Sequence, residues 1–454
     1  MNAAPARPLR LLVLAAREPW PLNGGGRLRL FHWLRALVRR AAVSLVVCEP
    51  AQYASRLPQP LRVIAPRARP GSPREGEGWA LERGTARLAG NLAVRHFGAN
   101  AAVVDWLKRH ARPAEFEAVL VYGAALGVYA DALRVPFVWD AVDELVLTTL
   151  RAAAPRGPRS WLTTARRAVL YAAYERHVAR RAHATVFASP VDAAWGRRWA
   201  GGARGAAGGP RIVALTNGVD FEFFAGARRA PQRGTVAFIG TLDFPPNVHA
   251  VTWFVRHVWP GVHAADPTRR LLIAGRAPAP AVRALAREPG VELHPDVPDV
   301  RPYFERAAVI VVPTFHGAGV KNKVLEACAM GRPVVASPRA LAGLSARRGA
   351  DLLCAASPAA WTCKLERLLR NPDHAAAIGR CGQSWVRRAH RWPALGGELL
   401  GLIAAAAPEC GTQKAECRLQ NAEFEIRDAE WEIQNSEFHI LSSAVPVREA
   451  AACR

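Results

Sequence analysis

The sequence predicts an α/β protein with two successive domains, each built around a parallel sheet, followed by a C-terminal tail of different composition. Three observations indicate this architecture. Short apolar runs typical of buried strands alternate with helical stretches along most of the chain. In each half, a glycine-rich turn joins a strand to a helix, at 21–26 and again at 317–319. The length of 454 residues is sufficient for two or three domains with cores of their own.

The composition excludes several classes of protein. Hydrophobic residues make up 50% of the chain, which excludes a wholly disordered or collagen-like protein. No apolar run reaches the roughly 18 residues of a membrane span. The run Leu11–Ala16 is too short for a signal-peptide core, so we interpret it as a strand and expect a cytoplasmic protein. The eight cysteines form no CxxC pair and no Cys/His zinc spacing, and no metal site is predicted.

The formal net charge of +24 is only weak evidence for an anionic partner. Five of the 61 basic residues are lysines, and an arginine bias of this kind also fits a GC-rich coding sequence. The sequence has no helix-turn-helix, zinc or RNP signature, and a parallel α/β body offers no evident element to read bases. A nucleic-acid partner is therefore not expected.

The first predicted domain covers 1–215. It opens with a strand at Leu9–Ala15, a Pro/Gly turn at 19–26 and a helix at 27–40 whose apolar residues recur at helical spacing. Further strands and Pro/Gly/Arg-rich loops follow: strands at 43–48, 118–122, 137–139 and 185–188, and loops at 65–78 and 200–211.

The second predicted domain covers 216–393 and begins just before the turn sequence Asn217-Gly218. Its predicted elements are strands at 235–240, 270–275, 309–312 and 333–337, and helices near 250–258 and 322–330. A terminal helix at 394–407 follows, placed where it can return to the first domain.

The tail, 408–454, differs from the rest of the chain. From Cys417 the amino-acid pattern repeats every seven residues, and its apolar residues are alternately two and five positions apart. This spacing fits neither a coiled-coil seam nor a strand. Residues 411–454 contain eight acidic and five basic residues, against the basic excess of the whole chain. We expect a low-complexity, disordered appendage; a peptide-binding or oligomerisation element is the alternative.

The stretch 309–337 carries the clearest chemical signal. A buried strand leads into a loop containing Gly317 and Gly319, and a helix follows. A glycine loop before a helix lets backbone N–H groups approach an anion, and the helix dipole adds positive charge there. Lys321 and Lys323 lie at the start of the helix, and Glu326 shares a face with Lys323. This pattern predicts a site for a diphosphate and its attached ribose; an ordinary βα loop with solvated lysines is the alternative.

In this stretch the sequence resembles the family-4 glycosyltransferases. The matching features are Pro313, the run GAGVKNK (317–323) and the run LEACAMGRPVVA (325–336). Further similar segments are PLNGGGRLR (21–29), LTNGVDFEFF (215–224), FIGTLDFPPNVHAVTWF (238–254), LLIAGRAP (271–278) and VELHPDVPDVRPYF (291–304). The resemblance covers nearly all of 9–407 and is closest to the bacterial exopolysaccharide and cell-envelope branch.

This resemblance implies two Rossmann-like domains that face each other across a cleft, the GT-B fold. It also implies a retaining, metal-independent transfer without a cofactor, from a UDP-, GDP- or ADP-sugar to a saccharide or lipid-linked acceptor. Ala318 stands where many relatives have a first glutamate, and a histidine that many relatives place after an N-domain strand is not evident near 139–144.

We expect Lys321 and Lys323 to bind the diphosphate and Glu326 to bind the ribose hydroxyls. Residues of three loops are expected to approach the substrates from both domains. Gly24, Gly25 and Gly26 of the first domain are expected to approach the diphosphate or the acceptor, and Gly240, Thr241, Gly317 and Gly319 of the second to bind the donor.

Three further residues are candidates for contact with the transferred sugar or the acceptor. Asp140 and Asp143 fit either such a contact or a structural role in a loop or helix cap. His316 precedes the glycine loop and faces either the sugar or solvent. Asn247 is interpreted as a helix cap and Asn217 as part of the hinge.

An arginine-rich helical stretch at 161–183 also contains apolar residues, which fits an anionic membrane surface or a solvated helix. Two other functions remain open at this level: a different GT-B enzyme such as a sugar-nucleotide epimerase, and a non-catalytic nucleotide-sugar-binding protein.

Overall fold

The computed structural model describes residues 7–22, 24–66, 96–152, 158–200, 210–224, 230–316 and 319–407. Two parallel sheets organise this body, one in each half of the chain. The predicted tail, 408–454, lies outside the described residues, as does the predicted loop from 67 onward. No helix in the described ranges is long and apolar enough to cross a bilayer.

The first sheet has seven parallel strands in the order β3-β2-β1-β4-β5-β6-β7. Its strands are β1 (Leu9–Ala15), β2 (Ala41–Val47), β3 (Arg62–Ile64), β4 (Ala118–Tyr122), β5 (Phe137–Val142), β6 (Ala184–Phe187) and β7 (Ile212–Ala214). The helices of this half are α1 (Gly25–Leu37), α2 (Ala101–His110), α3 (Leu145–Ala152), α4 (Pro158–Arg181) and α5 (Pro190–Ala200), with 3-10 segments at Ala54–Arg56 and Ala124–Ala132.

The second sheet has six parallel strands in the order β10-β9-β8-β11-β12-β13. Its strands are β8 (Thr235–Ile239), β9 (Arg270–Gly275), β10 (Val291–Pro295), β11 (Val309–Val312), β12 (Val334–Ala336) and β13 (Leu353–Cys354). The helices of this half are α6 (Pro245–His257), α7 (Trp259–Ala265), α8 (Pro280–Ala284), α9 (Arg301–Arg306), α10 (Asn322–Ala329), α11 (Pro358–Arg370) and α12 (Pro372–Ala389), with a 3-10 segment at Leu285–Arg287.

Each sheet is covered by apolar side chains on both faces, as parallel sheets require. Along β1, Leu12 and Leu14 belong to one core cluster, whereas Leu11 and Val13 belong to the cluster on the opposite face. The same alternation runs through β8 and β11 in the second half. This two-sided burial explains why the strands read as continuous apolar runs in the sequence.

The terminal helix α13 (Trp392–Ala406) packs on the first half of the chain. Leu399 and Ile403 are fully buried in the same cluster as Trp33 of α1. A methyl group built on Gly396 would collide with Cβ of Ala36, so the two helices touch at the level of their backbones. The last described helix thus joins the end of the second half to the core of the first.

Candidate active site

The site lies where the first helix of one half meets a helix of the other. In each sheet the strand order reverses direction between the first and fourth strands, β1 and β4 or β8 and β11, and ligands of open α/β sheets bind at the carboxyl ends of such strands. Helix α1 begins at Gly25, after β1, and α10 begins at Asn322, after β11. A methyl group built on Gly25 would lie 3.5 Å from Nδ2 of Asn322. The N-termini of the two helices therefore face each other across the boundary between the halves.

The start of α1 is open to an incoming anion. The backbone N–H groups in the first turn of a helix have no partner within the helix, and they carry its positive dipole end. Gly24, Gly25 and Gly26 are exposed, and a methyl group on Gly24 would meet no atom within 4 Å. The hydroxyl of Tyr122 donates a 2.6 Å hydrogen bond to the carbonyl of Gly26 and so holds the loop in place.

The loop before α10 packs against Asp143 of the first half. Gly319 adopts a left-handed backbone (φ +69°), and a methyl group there would collide with Oδ1 of Asp143. Only glycine meets both conditions, because L side chains rarely adopt this φ and no space exists for one. Gly317 and Ala318 lie outside the described residues, so the placement expected for Gly317 stays a prediction.

Lys323 occupies a pocket beneath the loop that follows β8. Its Nζ donates a 2.9 Å hydrogen bond to Oδ1 of Asn247 and lies 4.4 Å from the ring centroid of Phe238. A methyl group on Gly240 would lie only 2.7 Å from this Nζ, so the glycine leaves room for the ammonium group. Burial lowers the pKa of Lys323 to about 7, and Glu326 opposes this effect.

Asn247 is a residue whose role the sequence did not reveal. The sequence predicts a helix cap at Asn247, but α6 has Phe244 in the cap position and no side-chain cap bond. Instead, Nδ2 of Asn247 donates a 2.8 Å hydrogen bond to the carbonyl of Thr241, while its Oδ1 accepts from Lys323. Asn247 thus ties the loop that contains Gly240 and Thr241 to the lysine of α10.

Glu326 lies one turn after Lys323 on α10. Burial raises the pKa of its carboxyl to about 7, and the nearby Lys323 lowers it. Among the described residues, no side chain or backbone group donates a hydrogen bond to this carboxylate. Its oxygens are therefore available to donors from a ligand, such as hydroxyl groups.

Lys321 and Asp143 influence each other electrostatically across the boundary between the two halves. Burial lowers the pKa of Lys321, whereas Asp143 raises it. The pKa of Asp143 is raised to about 6, first by burial and then by Asp192, and Lys321 acts in the opposite direction. The two sequence candidates are thus brought together, with an acid from the first half beside a base from the second.

Asp140 lies in the core. Its side chain is fully buried and accepts two hydrogen bonds from Arg29, at 2.8 and 3.2 Å. Trp33 Nε1 donates a third bond at 2.7 Å, and the backbone N–H of Val142 donates a fourth at 3.1 Å. Because both carboxylate oxygens of Asp140 already accept hydrogen bonds, this residue has a structural role. That role is in a buried ion pair on a strand, and not in a loop or helix cap as the sequence suggested.

The backbone at Val142 explains why two aspartates so close in sequence differ so much. Val142 has a φ of +68°, which is rare for a β-branched residue, and the register of β5 against β6 shifts between Asp140 and Val142. This kink turns the chain, so that Asp140 points into the core and Asp143 reaches Gly319. Strained backbone of this kind is concentrated at functional sites.

A chain of hydrogen bonds connects the core of the first half to the start of α10. Arg29 Nη1 donates to Oδ1 of Asn217 at 3.0 Å and to the carbonyl of Thr216 at 3.2 Å. Nδ2 of Asn217 in turn donates to Oδ1 of Asn322 at 2.8 Å. Asn217 therefore links the halves at the hinge, and Arg29 and Asn322 join the candidate site as residues that the sequence reasoning missed.

His316 is exposed at the end of the segment that follows β11. Its ring lies 4.8 Å from that of His249, edge to face. Burial and the neighbouring His249 lower its pKa. No contact with the Lys321–Glu326 cluster is seen among the described residues, so the sugar contact considered for His316 stays a prediction.

A cavity of about 290 Å³ adjoins the glycine loop on the side of the first half. It lies at the carboxyl ends of β1 and β4, and its wall combines small and apolar residues with four polar ones, Arg17, Glu18, Arg27 and Tyr122. A volume near 300 Å³ is at the lower end of the range of ligand pockets.

Comparison with known proteins agrees with this fold. Residues 233–371 match the family model described as "Glycosyl transferases group 1". No curated protein sequence matches the chain. A solved structure with a similar fold is Anabaena HepE in complex with UDP and glucose, with 13% identity, a TM-score of 0.57, and coverage of 87% of this chain and 99% of that one.

Two further structures have the same architecture. Sucrose-phosphate synthase from Thermosynechococcus elongatus has 17% identity and a TM-score of 0.63, over 88% of this chain and 100% of that one. WaaG, a glycosyltransferase involved in lipopolysaccharide biosynthesis, has 14% identity and a TM-score of 0.56, over 87% and 99%. The two parallel-sheet domains of this chain, with the site between them, have the GT-B fold of the glycosyltransferases.

Proposed function

We propose that the chain is a glycosyltransferase that moves a sugar from a nucleotide-sugar donor to a saccharide or lipid-linked acceptor. The observation that supports this proposal most strongly is the convergence of Lys321, Lys323 and Glu326 at the start of α10, opposite the start of α1. The match of residues 233–371 and the UDP held by the HepE structure support the same donor class. The donor is a UDP-, GDP- or ADP-sugar, and the pathway is exopolysaccharide or cell-envelope synthesis.

The diphosphate of the donor binds between the two helix N-termini. During transfer the bond from the sugar to the diphosphate breaks, and negative charge grows on the departing oxygen. Lys321 and the free N–H groups at the start of α10 are fixed in place before the reaction, so they stabilise that charge without reorganisation. These cations and dipoles supply the positive charge that a metal ion supplies in other transferases, and the proposal requires neither a metal nor a cofactor.

Lys323 stabilises the diphosphate from beneath the loop of Gly240. Its pKa of about 7 means that about half of the lysine is neutral at pH 7. A bound diphosphate favours the charged form and raises this pKa again. Donor binding and protonation of Lys323 are therefore coupled.

Glu326 binds the ribose of the donor. Two vicinal hydroxyls offer two donors, and the carboxylate has free oxygens to accept them. Hydrogen bonds to a carboxylate favour its charged form, so the ribose lowers the raised pKa of Glu326. Lys323 and Glu326 thus reach their paired ionic state when the nucleotide is bound.

The reaction retains the configuration of the sugar carbon, and the departing phosphate takes the proton of the acceptor hydroxyl. Asp143 lies on the opposite side of the cleft, beside Lys321, where a hydroxyl of the transferred sugar or the acceptor can donate to it. The cavity of about 290 Å³ next to Gly26 receives the acceptor; its charged residues Arg17, Glu18 and Arg27 suit a saccharide, and its small apolar residues suit an attached lipid portion.

The test is donor turnover by the Lys321→Ala variant. Thermal shift with UDP-, GDP- and ADP-sugars first identifies the donor, because a ligand that binds the folded state stabilises it. Hydrolysis or transfer from that donor should then fall by about 10²–10³-fold in Lys321→Ala, the usual loss for one transition-state donor. Lys364→Ala, on α11, is the matched lysine control and should retain activity. Equal activity in both variants would remove the assigned role of Lys321.

The enzyme acts at the inner face of the plasma membrane, held there by α4. Leu162, Arg166 and Val169 follow the i, i+4, i+7 spacing of one helix face, and the two apolar side chains are 53% and 70% exposed. Trp161 is 69% exposed beside them. Exposed apolar side chains among arginines fit the headgroup region of anionic lipid. Of the basic residues predicted for this surface, Arg181 and His177 instead contact Asp131.

Flotation with vesicles tests this membrane contact. The chain should float with vesicles of phosphatidylcholine mixed with phosphatidylglycerol and much less with phosphatidylcholine alone. The variant R166E/R167E should lose this binding, whereas R256E/R287E, with the same change of charge on exposed arginines elsewhere, should keep it. Flotation that does not depend on the anionic lipid would refute the contact.

A further inference from the structure

A second cavity, of about 480 Å³, lies at the other end of α1 and is called the hinge cavity below. Its wall combines the last turns of α1, the linker around Asp220 and the crossover from α12 to α13. His32, a member of the wall, is buried and stacks on Trp392 with ring centroids 4.7 Å apart. The cavity is separate from the donor site, because the ten residues from Gly25 to Arg35 span roughly 15 Å of helix.

The charge of the hinge cavity is strongly positive. Four arginines line it against two acidic residues: Arg35, Arg39, Arg387 and Arg391 against Asp220 and Glu222. Burial lowers the pKa of His32 to about 4, so the histidine adds no charge at neutral pH. The wall therefore has an excess of two positive charges within one concave surface.

The two acids are already engaged. Glu222 pairs with Arg35 at 3.2 Å, and Asp220 lies 3.7 Å from the same guanidinium. Asp220 also accepts hydrogen bonds from the backbone N–H groups of Glu222 and Phe223, at 3.1 and 3.0 Å. The other three arginines have no acidic partner within the described part of the chain.

These unpaired guanidiniums come from both sides of the hinge. Arg39 follows α1 of the first half, and Arg387 lies near the end of α12 of the second half. Arg391 lies in the crossover between α12 and α13. Arg387 is held over the ring of Phe221, 5.8 Å from its centroid. A concave surface with an excess of positive charge concentrates anions, and guanidinium forks match the oxygen geometry of phosphate groups.

We propose that the hinge cavity binds a small anion of the diphosphate class, at a site distinct from the donor site. The volume accommodates a small molecule. A single monovalent anion would neutralise the charge of only one of the three guanidinium groups, whereas a diphosphate carries several negative charges. Because the anion contacts arginines of both halves, it favours the arrangement of the halves in which all three reach it. The site goes beyond the proposed function and does not depend on it.

The experiment is a titration of the full chain with inorganic pyrophosphate, followed by calorimetry. UDP is added first at one equivalent per chain, so that it fills the donor site without saturating the hinge cavity and the remaining heat reports a second site. We expect one pyrophosphate to bind per chain under these conditions. The variant R387Q/R391Q should weaken this binding at least tenfold, while R256Q/R287Q, which removes two exposed arginines elsewhere, should change it less than twofold.

Three results would overturn the proposal: no binding to the UDP-filled protein, equal affinity in R387Q/R391Q and wild type, or an equal loss in both double variants. Titrations of R387Q/R391Q with UDP, GDP and ADP test the donor site by itself. If none of the three binds, the proposed function fails, and the pyrophosphate titration is then made on Lys321→Ala, where the donor-site lysine is absent. The two failures are thereby distinguished.

Discussion

Replacing Gly240 by alanine tests the placement of Lys323 without removing any charged group. A methyl group on Gly240 would lie 2.7 Å from Nζ of Lys323, whereas ordinary contacts begin at 3.4 Å. The ammonium group must therefore move by at least about 0.7 Å. It lies at the end of a flexible side chain, so this movement costs little folding stability, but it disturbs the hydrogen bond to Asn247. A misplacement of about 1 Å in a catalytic group can cost about 10²-fold in rate.

We therefore expect Gly240→Ala to lower kcat/KM for the donor by about 10²-fold, equivalent to about 2.7 kcal/mol in the transition state. The assay is initial-rate kinetics with the donor identified by thermal shift, together with a melting curve to confirm folding. Gly261→Ala is the matched control, since its methyl group would make only a 3.6 Å contact with Thr362. A folded Gly240→Ala protein with kcat/KM within threefold of wild type would refute the assignment of Lys323 to the diphosphate.

Two further predictions follow from the charges of the site and its support. Since the pKa of Lys323 is about 7, the charged form that binds the diphosphate is lost as the pH rises, and UDP affinity should fall by up to about tenfold per pH unit above pH 7. Lys323→Arg, which stays charged, should flatten the profile measured by calorimetry, and a flat wild-type profile would contradict the coupling. Asp140→Ala leaves Arg29 buried without its acid and should lower the free energy of unfolding by about 3–5 kcal/mol in urea titrations. A loss below about 1 kcal/mol would show that the ion pair does not support the fold.

Much of the fold follows from local patterns in the sequence. A parallel strand covered on both faces must be apolar throughout, which is why β1, β4, β8 and β11 stand out as short runs. The spacing of Lys323 and Glu326 places them on one face of α10 by helix geometry alone. The glycines of both loops are likewise recognisable, because they stand between a strand and a helix.

The support of the site could not be read from the sequence, because it depends on contacts between distant residues. Arg29 and Asp140 are 111 positions apart, and Lys323 and Asn247 are 76 apart. No local pattern distinguishes Asp140, which the strand buries, from Asp143, which reaches the cleft. That distinction depends on the left-handed backbone of Val142, which is a feature of the folded sheet. The same applies to the approach of Asp143 to Gly319, which only the meeting of the two halves creates.

A crystal structure of the full chain with UDP would test the central claim most directly. The account predicts that the diphosphate lies between the N-termini of α1 and α10, with its oxygens within hydrogen-bond distance of Lys321 and Lys323. It also predicts that the ribose hydroxyls donate to Glu326. Nucleotide bound elsewhere, or bound here with its diphosphate away from both lysines, would contradict the assignment of this site.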